Sequence, residues 1–154
     1  MQPVRVIGLG NLFRGDDAVG LHVVRSLRGR VGNHVEVIES GAGSLDLIEW
    51  IEGARQVVLI DAAKSGKPAG TIHRVDAVTS RLGDSFSPAS THALNVADVL
   101  ELGRVLGRLP SSLIVYGIEV ADLRSGEALS PAVAAAVEGV AAQVLRDLEE
   151  PAHA

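Results

Sequence analysis

Val57-Val58-Leu59-Ile60, followed at once by Asp61, is the stretch whose reading decides the fold. Four apolar residues in a row, without polar alternation, fit a strand covered on both faces, as a central parallel strand between helices is. Working outward, Val4 to Leu9, Val35 to Glu39 and Leu113 to Val120 read as further strands of the same kind. Thr71-Ile72-His73-Arg74-Val75 alternates instead, which predicts an edge strand and allows it to run antiparallel.

Segments of helical period lie between these strands. The first helix is expected from Asp17 to about Arg28, with Gly29 near its end. The second follows Ser44 and buries Leu45, Ile48 and Ile51. The third starts near Ser90 and places Val96, Val99, Leu100, Gly103 and Leu106 on one face. The fourth opens on Ser130 as N-cap with Pro131 at the first helical position. Its core stripe is Val133, Val137, Val140, Val144 and Leu148, and Pro151 stops it. Strands alternating with helices make this an α/β layer fold.

The chain has 154 residues, 47% of them hydrophobic, with a formal net charge of -5. That length predicts one domain over residues 1–154, frayed after about 150, with a core that needs no covalent staple. Cys is absent, which excludes disulfides, zinc ribbons and thiol nucleophiles. Basic residues number 14 against 19 acidic ones, and only Lys64 and Lys67 are lysines, which argues against a nucleic-acid partner. No apolar run reaches the ~18 residues of a membrane span, and Met1-Gln2-Pro3 leads into a strand instead of a signal peptide. A soluble cytoplasmic protein is the expectation. The loops from Lys64 to Gly70 and from Ser80 to Ser90 are polar and rich in Gly, Pro and Ser. Such loops are where sites usually lie.

Three features carry chemistry. Gly8-Leu9-Gly10-Asn11 follows a strand, and Gly15-Asp16-Asp17-Ala18-Val19-Gly20 opens a helix. A dinucleotide loop would need glycine where Phe13 stands, and two carboxylates at a helix start repel a pyrophosphate. The same acids suit a cation, although either could simply cap the helix. The expected division is Asp16 as cap and Asp17 facing the crevice. Asp61 comes at the carboxyl end of a central strand, where open α/β sheets bind ligands, or else caps a loop there. His92 heads the third helix, where the helix dipole keeps imidazole neutral and able to coordinate, although packing or capping explains it as well. His22, His34, His73 and His153 are weaker candidates. Two oxygens and one nitrogen, with positions left open, make an exchangeable or catalytic metal site compatible with nickel, zinc or other divalent ions. No Gly-x-Ser-x-Gly elbow or Ser-His-Asp order supports a serine nucleophile.

The string Val6-Ile7-Gly8-Leu9-Gly10-Asn11, then Gly15 to Gly20, then Ile60-Asp61-Ala62, then His92 with Ala97-Asp98-Val99-Leu100, resembles the nickel-iron hydrogenase maturation proteases. The likeness covers nearly the whole chain. It implies a three-layer sandwich with a twisted, mostly parallel five-stranded sheet flanked by helices. It also implies an endopeptidase that removes the C-terminal extension of a hydrogenase large-subunit precursor after nickel insertion. Asp17, Asp61 and His92 fall at the family's metal-binding positions, with Asp17 the shorter variant of a position that is Glu in some members. The resemblance gives these three the catalytic role too, on nickel delivered by the substrate, although another divalent metal fits the same ligands. Asp16 would hold the loop or assist water. Glu39-Ser40-Gly41 matches the family's acid-then-glycine turn, with Ser40 where some members have glycine. The loops Lys64 to Gly70 and Arg81 to Ala89 are expected to vary with the hydrogenase served. A non-enzymatic nickel-sensing or metallochaperone module would use the same ligands without cutting.

Overall fold

The computed structural model describes residues 2–10, 15–41, 46–82, 96–121 and 128–149. Five strands form one sheet: β1 (Val4–Leu9), β2 (Val35–Ser40), β3 (Gln56–Ala63), β4 (Ile72–Asp76) and β5 (Ser112–Glu119). Their spatial order is β2-β1-β3-β5-β4. The pairs β1–β2, β1–β3 and β3–β5 are parallel, whereas β4 runs antiparallel along β5 at the edge. The alternating pattern of residues 71–75 therefore belongs to an antiparallel edge strand. The all-apolar run sits in the middle strand, where every residue of β3 is buried.

Four helices cover the sheet: α1 (Val19–Leu27), α2 (Asp46–Ile51), α3 (Val96–Val105) and α4 (Pro131–Glu149). On one face, Val19, Val23 and Leu27 of α1 and Val133, Val140 and Val144 of α4 pack on Val6, Val58, Ile60 and Tyr116. On the other, Leu47 and Ile51 of α2 and Val96, Val99 and Leu100 of α3 pack on Ile7, Leu59 and Val115. Because strand side chains alternate, Asp61 shares the α2/α3 face with Leu59 and Ala63. The three layers are those the resemblance implies.

Details differ from the sequence reading. A 3-10 turn, Gly15–Ala18, precedes α1, so the helix begins two residues beyond Asp17. Leu47, which the pattern did not single out, is buried at the start of α2, and Ile51 is buried as expected; Leu45 lies outside the described residues. Leu106 lies past the end of α3 and is half exposed; Leu102 and Val105, within the helix, are exposed as well. The reason is local. Gly107 takes a positive φ and ends the helix, so position 106 never reaches the sheet. The expected start of the third helix near Ser90 and the frayed tail after 150 lie outside the described residues. No helix among the described residues is long and apolar enough to cross a membrane.

Candidate active site

The carboxyl ends of β1 and β3 meet the start of α1 at very short range. A Cβ on Gly8 would stand 2.3 Å from the Gly20 carbonyl oxygen, and one on Gly20 would stand 2.3 Å from that of Ile60. Only residues without Cβ allow this approach. The glycine-rich string thus serves helix-to-sheet contact, and that contact brings the 3-10 turn carrying Asp16 and Asp17 over the end of β3.

The two acids have different tasks. Asp16 is buried, and its carboxylate accepts hydrogen bonds from the Ala121 amide (2.9 Å), the Ser130 amide (2.7 Å) and the Ser130 hydroxyl (2.8 Å). It ties the turn before α1 to the end of β5 and the start of α4. The expected cap of the first helix is absent: Ala18 holds that position, without a side-chain cap bond. Of the two roles expected of Asp16, holding the loop or assisting water, its bonds match the first. Asp17 is also buried, and its charge acts on Asp61.

Asp61 does not follow its strand but lies within it, in register with Gly117 of β5. Its side chain is 1% exposed. One carboxylate oxygen, Oδ1, accepts the Ala62 amide at 2.8 Å, whereas Oδ2 is buried with no hydrogen-bond partner. Burial pushes the carboxyl up to about 7; the Ala62 bond opposes this rise and the Asp17 charge adds to it. A buried oxygen without a donor is costly unless something supplies positive charge. A buried carboxyl whose proton affinity is raised by a neighbouring carboxylate is suited to sharing a cation with it.

His92, the third expected ligand, lies outside the described residues. Among the described residues, no group of three His, Asp or Glu side chains stands close enough to hold a metal ion. Asp17 and Asp61 are brought together. Of the weaker histidines, His22 has a buried Nε2 without a partner, and burial and then Arg25 lower its pKa.

A family profile, HycI, hydrogenase maturation protease, matches residues 21–147. The chain belongs to the hydrogenase maturation protease family. It is 32% identical to the hydrogenase 2 maturation protease of Escherichia coli strain K12, over 96% of this chain and 91% of that protein. It superposes on the hydrogenase maturating endopeptidase HybD from E. coli with a TM-score of 0.79 at 26% identity, covering 95% of this chain and 91% of the other. The [NiFe] hydrogenase maturation protease HybD from Thermococcus kodakarensis shares the fold, with a TM-score of 0.74 at 22% identity over 96% and 99% of the two chains.

In this maturation protease, three sets of contacts lie at the carboxyl ends of the strands. Glu39, from the acid-glycine turn, bonds Arg25 at 2.9 Å and Arg28 at 3.0 Å, both on or next to α1. Burial alone would raise its pKa, but the bonds from Arg28 and Arg25 outweigh that and hold it below the ordinary value. Gly10 donates its amide to the Ser40 carbonyl at 3.1 Å, so position 40 contributes backbone there. Glu119 was not anticipated. It is buried at the end of β5, pairs with His73 Nε2 at 2.9 Å and accepts the Ser65 amide at 2.9 Å. The signal for it was weak, a lone acid closing an apolar strand; the register puts His73 two positions away, opposite Gly117.

Proposed function

We propose that this protein is an endopeptidase that removes the C-terminal extension of a hydrogenase large-subunit precursor already loaded with nickel. Membership of the maturation protease family supports the protease reading. The observation that carries the nickel reading is the buried, unpartnered Oδ2 of Asp61 beside the charge of Asp17. We assign nickel contact to Asp17, Asp61 and His92, with the metal arriving as part of the substrate.

The chain's own residues do the following. The Ala62 amide fixes the Asp61 carboxylate through Oδ1 and leaves Oδ2 for a ligand. Asp17 would supply a second oxygen, a reading supported by the glycine contacts and the Asp16 tie that hold its turn against the sheet. His92 would supply a nitrogen that matches the borderline preference of nickel. Asp61, held near neutrality when the site is free, gives up its proton as the cation arrives, so binding is coupled to proton release. Nickel held by these residues would supply Lewis acidity toward an adjacent peptide carbonyl.

Incubation with nickel-loaded and nickel-free precursor, followed by intact-mass measurement, tests the reading. Loss of the extension from the loaded form alone is expected. Unchanged mass in both would leave a nickel-sensing module without proteolysis, and cleavage of both would remove nickel from the recognition step.

A further inference from the structure

The segment between β3 and β4 begins three residues after Asp61 and carries Lys64 and Lys67, the chain's only lysines. Both are exposed. Neither has an acidic partner among the described residues, whereas Arg5, Arg25, Arg28, Arg30, Arg74 and Arg104 do. Of the arginines described, Arg55 and Arg146 also lack one, but neither lies on this segment. In a chain of net charge -5, two unneutralised cations share one short segment at the edge of the site.

This segment is fixed in place. The Ser65 amide donates to both carboxylate oxygens of Glu119, at 2.9 and 3.1 Å, and His73 holds the same carboxylate. The Gly70 amide donates to the Glu119 carbonyl at 2.9 Å, and the Glu119 amide to the Thr71 carbonyl at 2.9 Å. Between these ties, the Thr71 hydroxyl bonds the Pro68 carbonyl at 2.6 Å. One buried residue, Glu119, thus anchors both ends of an exposed loop. A loop whose backbone is already ordered loses less entropy when a partner binds it.

We propose that Lys64 and Lys67 form a docking contact for an acidic, carboxylate-bearing stretch of the precursor next to the segment being processed. The inference rests on the precursor-processing reading and names the chemistry of a substrate contact at the same site. A polypeptide that brings its metal to Asp61 passes within about 10 Å of Lys64, given ~3.3 Å per extended residue. That is about one Debye length at 0.1 M salt, so the Lys64 charge still acts on it, and Lys67 extends the basic segment for chain lying beyond. The Glu119–His73 pair acts through the loop and is a positioning device.

The test compares the parent with Lys64→Glu/Lys67→Glu and Lys64→Arg/Lys67→Arg on nickel-loaded precursor at several salt concentrations. The charge-reversed protein is expected to show a KM raised about tenfold with kcat little changed, and a flatter salt dependence of kcat/KM. The arginine protein should keep the parent KM. In parallel, fluorescence anisotropy with a labelled Glu-rich decapeptide at low salt should show binding to the parent that charge reversal weakens. Equal KM and equal salt slopes for the parent and the reversed protein would overturn the proposal. A parent that cuts no precursor would overturn the processing reading instead. In that case lysine-dependent peptide binding would preserve the basic contact, and its absence would overturn that as well.

Discussion

Asp16 and Ser130, 114 positions apart, are joined by two hydrogen bonds, with the amide and the hydroxyl of the serine both donating to one buried carboxylate. Ser130 precedes the proline that opens α4, so this junction closes the turn before α1 against the last helix of the fold. Of two adjacent acids with similar burial, Asp16 is thus committed to holding structure, and the proposed nickel contact falls to Asp17.

The first expectation follows from that division. Asp16→Ala leaves the Ala121 amide and both Ser130 donors without their acceptor. It should lower unfolding free energy by about 3 kcal/mol, the scale of losing charged hydrogen bonds in a buried place. Asp17→Asn should leave stability close to the parent and abolish processing. Urea unfolding of both proteins, with an intact-mass assay of the second, checks the pair. Equal stability of Asp16→Ala and parent would refute the structural assignment.

Asp61→Asn separates stability from activity through pH. The folded carboxyl is raised to about 7 from 3.8, so the native state holds its proton more tightly than the unfolded chain does. Below the unfolded value both states carry the proton and Asp61 costs nothing. As pH rises toward 7 the unfolded chain ionises first, and native stability falls until the folded group ionises too. In chelator-treated protein, Asp61→Asn should therefore be more stable than the parent at pH 8, by an amount on the order of a few kcal/mol, with the gap closing toward pH 4. Processing should be lost at every pH. Thermal melts at pH 4, 6 and 8 read the effect, and a gap that widened on acidification would contradict it.

The layer order was legible because it depends on residue patterns that burial enforces. The run Val57 to Ile60 can be covered on both faces only in a middle strand, and the alternation at 71–75 survives only at an edge. Ser130-Pro131 announced α4 for local reasons of hydrogen bonding and fixed φ. What the pattern could not show depends on distance across the fold. Nothing local tells that Asp16 reaches Ser130, or that Glu119 holds Ser65 and His73. Nor does apolar spacing reveal that Gly107 cuts α3 short and leaves Leu106 outside. The site was half legible in the same sense. The charge of Asp17 acts on Asp61, two residues that the sequence singled out, but the missing donor on Asp61 Oδ2 is a property of packing alone.

Gly20 tests whether the close approach of α1 sets the site. A Cβ there meets the carbonyl oxygens of Ile60 at 2.3 Å and Leu9 at 2.5 Å, both backbone atoms. Gly20→Ala should cost about 1–3 kcal/mol, the range for forced overpacking. It should also lower processing beyond that loss, because the turn bearing Asp17 moves away from Asp61. Rates measured well below the melting temperature separate the two effects. A folded Gly20→Ala protein with parent activity would show that the site tolerates a looser helix.

The source of the metal is the most exposed expectation. The candidate ligand set has two carboxylates and one imidazole and no thiolate, and its central carboxyl is held near neutrality in the free protein. Such a site competes poorly for a bare divalent ion, because protonation and metal binding draw on the same oxygens. A precursor that carries nickel brings its own ligands, so the complex should form more tightly than the free ion binds. Processing should then survive chelator treatment of this protein, once the chelator is removed before nickel-loaded precursor is added. It should be absent with nickel-free precursor even when excess zinc is supplied to the protease. Intact-mass measurement reads both arms. Full cleavage of nickel-free precursor after zinc reconstitution would identify a resident-metal peptidase, and the same three side chains would then hold an ion of their own.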